Sequence, residues 1–252
     1  MTQSFHGLPC WYELTAADLP GAKAFYSAVL GWSVADSGTP GMDYWLATTG
    51  DTMVAGMMAA EDPAQPKAWL TYFAADNCDE TTALAASRGA TVIVPPTDIP
   101  NTGRFSILTC PQGAGFGLLQ PLPGGTGGAF NPQKSGHVMW HDIVTADPAK
   151  ALEFYSALFG WTVSRTMQMG PDMTYHVIAR DGLDIGGAFA PSPPAPSYWK
   201  PYFGVLSAKA AMATVTAAGG KILRGPDEVP GGAFTLQGED AQGIRIALVG
   251  PA

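Results

Sequence analysis

The sequence predicts an α+β protein made by tandem duplication, each copy built from two βαβββ modules. Three observations predict it. The segment Cys10-Trp11-Tyr12-Glu13-Leu14-Thr15-Ala16-Ala17-Asp18, with Phe25-Tyr26 and Gly31-Trp32, returns as Met139-Trp140-His141-Asp142-Ile143-Val144-Thr145-Ala146-Asp147, Phe154-Tyr155 and Gly160-Trp161, offset by 129 residues throughout. Strand-like alternation and helical spacing succeed each other in one order in both copies. A glycine-rich stretch without periodicity, from Pro123-Gly124-Gly125-Thr126-Gly127-Gly128 to Ser135, separates them. A period this long marks a duplicated domain, because each copy can bury its own core.

The elements follow in order. From Leu8 to Thr15, alternation sets Leu8, Cys10, Tyr12 and Leu14 on one side of a strand and Pro9, Trp11, Glu13 and Thr15 on the other. Asp147 stands at an N-cap with Pro148 as the first helical residue, and Leu152, Tyr155, Leu158 and Phe159 recur at helical spacing up to Gly160; Asp18 to Gly31 repeats the scheme. Strands are expected at Trp32–Asp36, Tyr44–Thr48 and Met53–Ala59, and at Trp161–Arg165, Tyr175–Arg180 and Ile185–Ala190. The second module of the first copy reads as a strand Trp69–Ala74, a helix Cys78–Ser87 and strands Thr91–Val94, Phe105–Thr109 and Phe116–Gln120. Its counterpart has a strand Trp199–Leu206, a helix opened by Ser207 and closed by Gly219, and strands Lys221–Leu223, Ala233–Gln237 and Arg245–Val249. The first domain is therefore 1–122 (modules about 5–62 and 67–122), the linker 123–135, and the second domain 136–252 (modules about 136–192 and 197–250).

Composition excludes several classes. The 252 residues are 46% apolar and 13% charged, with a net charge of −8 and no long charged block, which fits a globular chain and not a nucleic-acid partner. Three cysteines, Cys10, Cys78 and Cys110, form no disulfide framework and no C-x-x-C pair. No stretch approaches a membrane span, and Met1 to Gly7 lacks the basic start and apolar run of a signal peptide, so the expectation is a soluble, cytoplasmic protein, monomeric or homodimeric. No Gly-x-Ser-x-Gly elbow is present, and the glycine-rich linker does not open a helix after a strand, so neither a serine nucleophile nor a dinucleotide is expected.

The pattern strand, Asp-capped helix, Phe-Tyr-x-x-x-(Leu/Phe)-Gly-Trp, then about 80 residues later Pro111-Gln112-Gly113 or Ala241-Gln242-Gly243, resembles the vicinal oxygen chelate superfamily of glyoxalase I, bleomycin-resistance proteins and extradiol dioxygenases. The tandem arrangement with Trp-x-(Glu/Asp) in the opening strand is similar to the subgroup labelled hydroxylases or glyoxalase-like proteins. The resemblance implies that each domain curls an eight-stranded mixed sheet into a cup, helices outside and ligand inside. It also implies a divalent metal held by His, Gln or Glu. The corresponding positions here are Trp11 and Trp140, Leu70 and Lys200, and Gly117 and Ala247, none of which suits a metal. No metal site and no cofactor are expected.

The candidate site residues follow from that placement. Glu13 and Asp142 are the acids of the opening strands; beside Trp11 or Trp140 in a partly dry pocket, either has the chemistry of a proton acceptor. A structural role, accepting hydrogen bonds from neighbours, is the other reading. Trp11, Tyr44, Trp69 and Tyr72 correspond to Trp140, Tyr175, Trp199 and Tyr202, and rings with polar tips suit an apolar or aromatic ligand. Arg104, matched with Ala233, is a candidate for an anionic ligand group. None of the histidines His6, His137, His141 and His176 has metal-ligand spacing, and His141 should face the helices if Asp142 faces the cup. The leading expectation is a metal-independent small-molecule-binding protein. The alternative is an enzyme of hydroxylase-, lyase- or isomerase-like activity using Glu13 or Asp142 as base, and the least favoured is a metal-dependent glyoxalase or dioxygenase.

Overall fold

The computed structural model describes residues 4–39, 41, 43–122, 127–171 and 173–252, so residues 123–126 of the expected linker lie outside the described residues. The first copy contains β1 (Pro9–Ala16), α1 (Leu19–Leu30), β2 (Ser33–Asp36), β3 (Tyr44–Thr49), β4 (Thr52–Ala59), β5 (Ala68–Ala74), α2 (Cys78–Ser87), β6 (Thr91–Ile99), β7 (Gly103–Thr109) and β8 (Gly115–Pro121). The second repeats the order with β9 (Val138–Val144), α3 (Pro148–Phe159), β10 (Thr162–Gln168), β11 (Thr174–Arg180), β12 (Leu183–Phe189), β13 (Tyr198–Gly204), α4 (Ala208–Ala217), β14 (Lys221–Val229), β15 (Ala233–Glu239) and β16 (Arg245–Gly250). Each copy forms one mixed eight-stranded sheet, ordered β2-β3-β4-β1-β5-β8-β7-β6 and β10-β11-β12-β9-β13-β16-β15-β14. The fold is α+β with tandem βαβββ modules.

The helix signals act as their chemistry requires. Asp18 accepts from Gly21 N–H and Asp147 from Lys150 N–H, each at the N-cap of a helix with proline in its first turn. Gly31 and Gly160 close these helices at φ 69° and 70°, a left-handed conformation that glycine adopts without penalty. The following tryptophans turn inward: Trp32 Nε1 donates to Gly136 O at 2.7 Å and Trp161 Nε1 to Gly7 O at 2.8 Å. Gln242, from the Ala-Gln-Gly turn, brackets the α1 cap by accepting from Asp18 N–H and donating to Asp18 O.

Two edge strands outrun expectation by continuing past prolines. The strand at Thr91 continues past Pro95 and Pro96 to Ile99, and the one at Lys221 continues past Pro226 to Val229. Proline lacks an N–H and breaks a central ladder, but β6 and β14 are outermost and shift register between Val94 and Thr97 and between Arg224 and Asp227.

The sheets stay within one copy each, whereas the compact packing units draw on both. One unit comprises the described residues of 1–11, 70–126 and 141–200; the other those of 12–69, 127–140 and 201–252. Each unit has the same aromatic core. In the first, Tyr155 stacks on Trp161 at 5.4 Å between centroids and meets Trp199 edge-on at 5.2 Å, with Phe73 5.0 Å from Trp199. In the second, Tyr26 stacks on Trp32 at 6.0 Å and meets Trp69 edge-on at 5.2 Å, with Phe203 4.8 Å from Trp69. Among the described residues no helix is long and apolar enough to cross a membrane.

Candidate functional site

In the unit containing residues 141–200, the sheet face turned away from α3 carries a polar cluster. His141 is 1% exposed and its Nδ1 meets Ile185 O at 2.8 Å, so Asp142, next along β9, projects to the opposite face. There Asp142 Oδ1 accepts from the Tyr175 hydroxyl at 2.6 Å, and Oδ2 lies 3.5 Å from Lys200 Nζ. Both charged residues are buried, Asp142 at 3% and Lys200 at 8% exposure. Lys200 Nζ also stands 5.2 Å from the centre of the Phe189 ring, a cation–π contact, and Phe189 stacks against Tyr175 at 5.9 Å. A buried carboxylate needs such compensation, since isolated burial would cost several kcal/mol.

The backbone lets Tyr175 reach across a strand. Gly187 on β12 is the register partner of Asp142 on β9, and the Tyr175 ring from β11 lies where a Gly187 Cβ would stand. The other copy repeats this: Gly56 pairs with Glu13, the Tyr44 ring covers Gly56, and its hydroxyl donates to Glu13 Oε2 at 3.1 Å. Glu13 is half-buried, and the first copy has Leu70 where the second has Lys200.

The remaining candidates divide between the two faces. Trp11 packs against the cluster of Cys10, Tyr72 and Ala74, and Trp140 against that of Tyr202, Ala247 and Val249. Trp69 and Trp199 do not line that face. Alternation turns them toward the helices, where Trp69 Nε1 donates to the Tyr26 hydroxyl at 3.0 Å and Trp199 Nε1 to the Tyr155 hydroxyl at 2.9 Å, so they are core residues. Arg104 is corrected likewise. Phe105 and Ile107 pack against the same cluster as Trp11, which sends Arg104 to the other face, where Nε and Nη2 grip Asp79 of α2 and Nη1 meets Asp98 at 2.7 Å. Its counterpart by register is Phe234, not Ala233: Asp98 pairs with Arg104 as Glu228 pairs with Phe234. A slip of one residue exchanges the faces of a strand.

The residues present do not fit a metal of the kind the resemblance implies. At Gly117 the space a side chain would need is filled by the Tyr72 ring, and Ala247 packs under Tyr202. Among the described residues no three His, Cys, Asp or Glu side chains converge. His6 contacts Leu158 O, His137 contacts Gly128 O, and His176 meets the Thr166 hydroxyl. Burial holds His141 at a pKa of about 4.

Reasoning from sequence missed Lys200 as a functional group. No local pattern marked it; the strand glycines Gly56 and Gly187, each preceded by a tyrosine 12 residues earlier (Tyr44, Tyr175), signal the tyrosine crossing alone.

Comparison with known proteins accords with this architecture. The family model Glyoxalase/Bleomycin resistance protein/Dioxygenase superfamily matches residues 10–118 and 134–248. The chain is 33% identical over 253 aligned residues to the protein named "Putative glyoxylase CFP32" of Mycobacterium tuberculosis, covering 98% of this chain and 95% of that one. It is 26% identical to the anthracycline biosynthesis protein DnrV of Streptomyces peucetius, covering 92% and 89%. Among solved structures, homoprotocatechuate 2,3-dioxygenase from Brevibacterium fuscum superposes with a TM-score of 0.69 at 16% identity, covering 97% of this chain and 80% of that one, a likeness of fold. The chain belongs to the Glyoxalase/Bleomycin resistance protein/Dioxygenase superfamily.

Proposed function

We propose that this protein binds a small apolar or aromatic molecule without a metal, at the second copy's cluster of Asp142, Tyr175 and Lys200. The observation that carries this reading is the buried ion pair between Asp142 and Lys200 on the sheet face away from α3. Such a pair is a poor way to gain stability, because apolar residues of similar volume do as well or better, so its presence supports a functional role. The half-buried rings of Tyr175 and Phe189 supply an aromatic wall beside it. The relative named for anthracycline biosynthesis is consistent with a small-molecule ligand.

The enzyme reading assigns Asp142 as general base. Against it, the Tyr175 hydroxyl and the Lys200 ammonium both direct positive charge at the carboxylate, an arrangement suited to orientation more than to proton abstraction. A thermal-shift screen of a metabolite library is the direct test, since a ligand that binds only the folded state raises Tm by mass action. A hit whose binding survives chelation and is lost in Tyr175→Ala supports the proposal. Stoichiometric divalent metal in protein purified without chelators, required for that binding, would sink it. Turnover abolished by Asp142→Asn with affinity retained would replace it with the enzyme reading.

A further inference from the structure

We propose that Lys200 determines specificity, selecting neutral ligands that present a carbonyl oxygen, and that it confines this recognition to the second copy. The inference rests on the ligand-site reading above and adds the ligand's chemistry. Lys200 Nζ lies 3.5 Å from Asp142 and over the Phe189 ring, 5.2 Å from its centre, so a fixed positive charge stands against the aromatic wall. In a site shielded from water, that charge attracts an electronegative oxygen more strongly than it would in solution.

The sign of the ligand's charge follows from the neighbours. The charges of Asp142 and Lys200 cancel, and Tyr175 is neutral. A bound anion would add an uncompensated negative charge close to the Asp142 carboxylate, where desolvation is expensive. A neutral carbonyl adds no charge and still accepts from the ammonium. Phe189 and Tyr175, stacked at 5.9 Å, offer the flat apolar surface that an aryl ketone or a quinone-like ring would cover.

The first copy does not share this chemistry. Trp69 and Trp199 are equivalent, so the next residue, Leu70, occupies the place of Lys200, and Leu70 packs among Cys10, Tyr72 and Ala74. Its acid, Glu13, accepts from the Tyr44 hydroxyl as Asp142 does from Tyr175, with an aliphatic side chain at the place of the ammonium.

The test uses three matched probes, 2-acetylnaphthalene, 2-isopropylnaphthalene and 2-naphthoate, titrated by ligand-observed NMR against the full chain. The wild type should bind the acetyl compound about tenfold tighter than the isopropyl one, the range of a hydrogen bond to a charged donor. Lys200→Met should reduce that ratio to about one, whereas Lys200→Arg and Leu70→Ala should keep it. A second readout needs no variant: both naphthalenes shift the Lys200 methylene resonances by ring current, but the ammonium 15N resonance should move further at saturation with 2-acetylnaphthalene than with 2-isopropylnaphthalene. Equal binding of the acetyl and isopropyl probes, an unchanged ratio in a folded Lys200→Met, or tightest binding of 2-naphthoate overturns the role of Lys200 while the ligand site stands. Binding of none of the three overturns the ligand-site reading together with this inference.

Discussion

Tyr175 crosses the sheet above Gly187 and ends with its hydroxyl 2.6 Å from Asp142, two strands away from its own. The relationship depends on a missing side chain. β11, β12 and β9 are consecutive in the sheet, and only a glycine on the middle strand leaves room for a ring to bridge the outer two. Tyr44, Gly56 and Glu13 repeat it in the first copy.

Gly187→Ala should therefore displace the Tyr175 ring. Gly187 has no left-handed backbone, so the cost comes from the clash alone, about 1–3 kcal/mol for an overpacked site. Urea midpoints will show it, and the decisive measurement is the double variant. In a Tyr175→Ala background the added methyl has space, so Gly187→Ala should become nearly neutral. An equal cost in both backgrounds would mean that the ring is not what the methyl meets.

Lys200→Met should destabilise the protein by about 3 kcal/mol, because it removes the cation 3.5 Å from a carboxylate that is 3% exposed. Asp142→Asn should cost a similar amount by removing the charge that faces the buried ammonium. The double variant should recover most of the loss, since two neutral groups remain where two charges stood. Additive costs would show that the two residues, 3.5 Å apart, are not energetically coupled.

Much of this architecture was legible in the sequence, for identifiable reasons. The helix Cys78–Ser87 and the caps Asp18, Asp147 and Ser207 are written in local chemistry, and the repeat shows every element twice. Pro95, Pro96 and Pro226 concealed the far halves of β6 and β14, because only sheet order reveals that these are edge strands. In the site, Glu13 and Asp142 followed from alternation along a single strand. For Arg104, Trp69 and Trp199 the face depends on strand register, which local pattern does not supply and where one residue decides the side. Lys200 was weighed only as a metal ligand, and its ion pair with Asp142 joins strands far apart in sequence.

Asp240 holds a second buried network that the motifs did not announce. Its Oδ2 accepts from the Tyr26 hydroxyl at 2.9 Å, and Oδ1 accepts from the backbone N–H of Gln242 and of Ile244. Burial, then the Asp240 charge, pushes the Tyr26 phenol well above its ordinary range, and burial does the same to Tyr155. A raised folded pKa stabilises the protein fully below the unfolded value of about 10, and that contribution is lost as pH rises beyond it. Stability should then fall as pH rises above about 10, and less steeply in Tyr26→Phe. That variant should also lose about 1–3 kcal/mol at neutral pH, because Asp240 loses a donor. Parallel alkaline slopes would remove Tyr26 from the explanation.

His141 governs the acid side. Buried against Ile185 O, it has its pKa lowered by desolvation from 6.5 to about 4. An imidazole kept neutral in the folded state but protonated in the unfolded one contributes its full stability above pH 6.5. That contribution declines as pH falls toward 4, by about 3 kcal/mol in all. Gln offers a neutral N–H for the same carbonyl and does not titrate, so His141→Gln should flatten the fall of the urea midpoint between pH 7 and pH 4. The carboxylates titrate alike in both proteins, so the difference between the two curves isolates the imidazole. Curves that stay parallel over this window would show that His141, though 1% exposed, is protonated in the folded state as easily as in the unfolded chain.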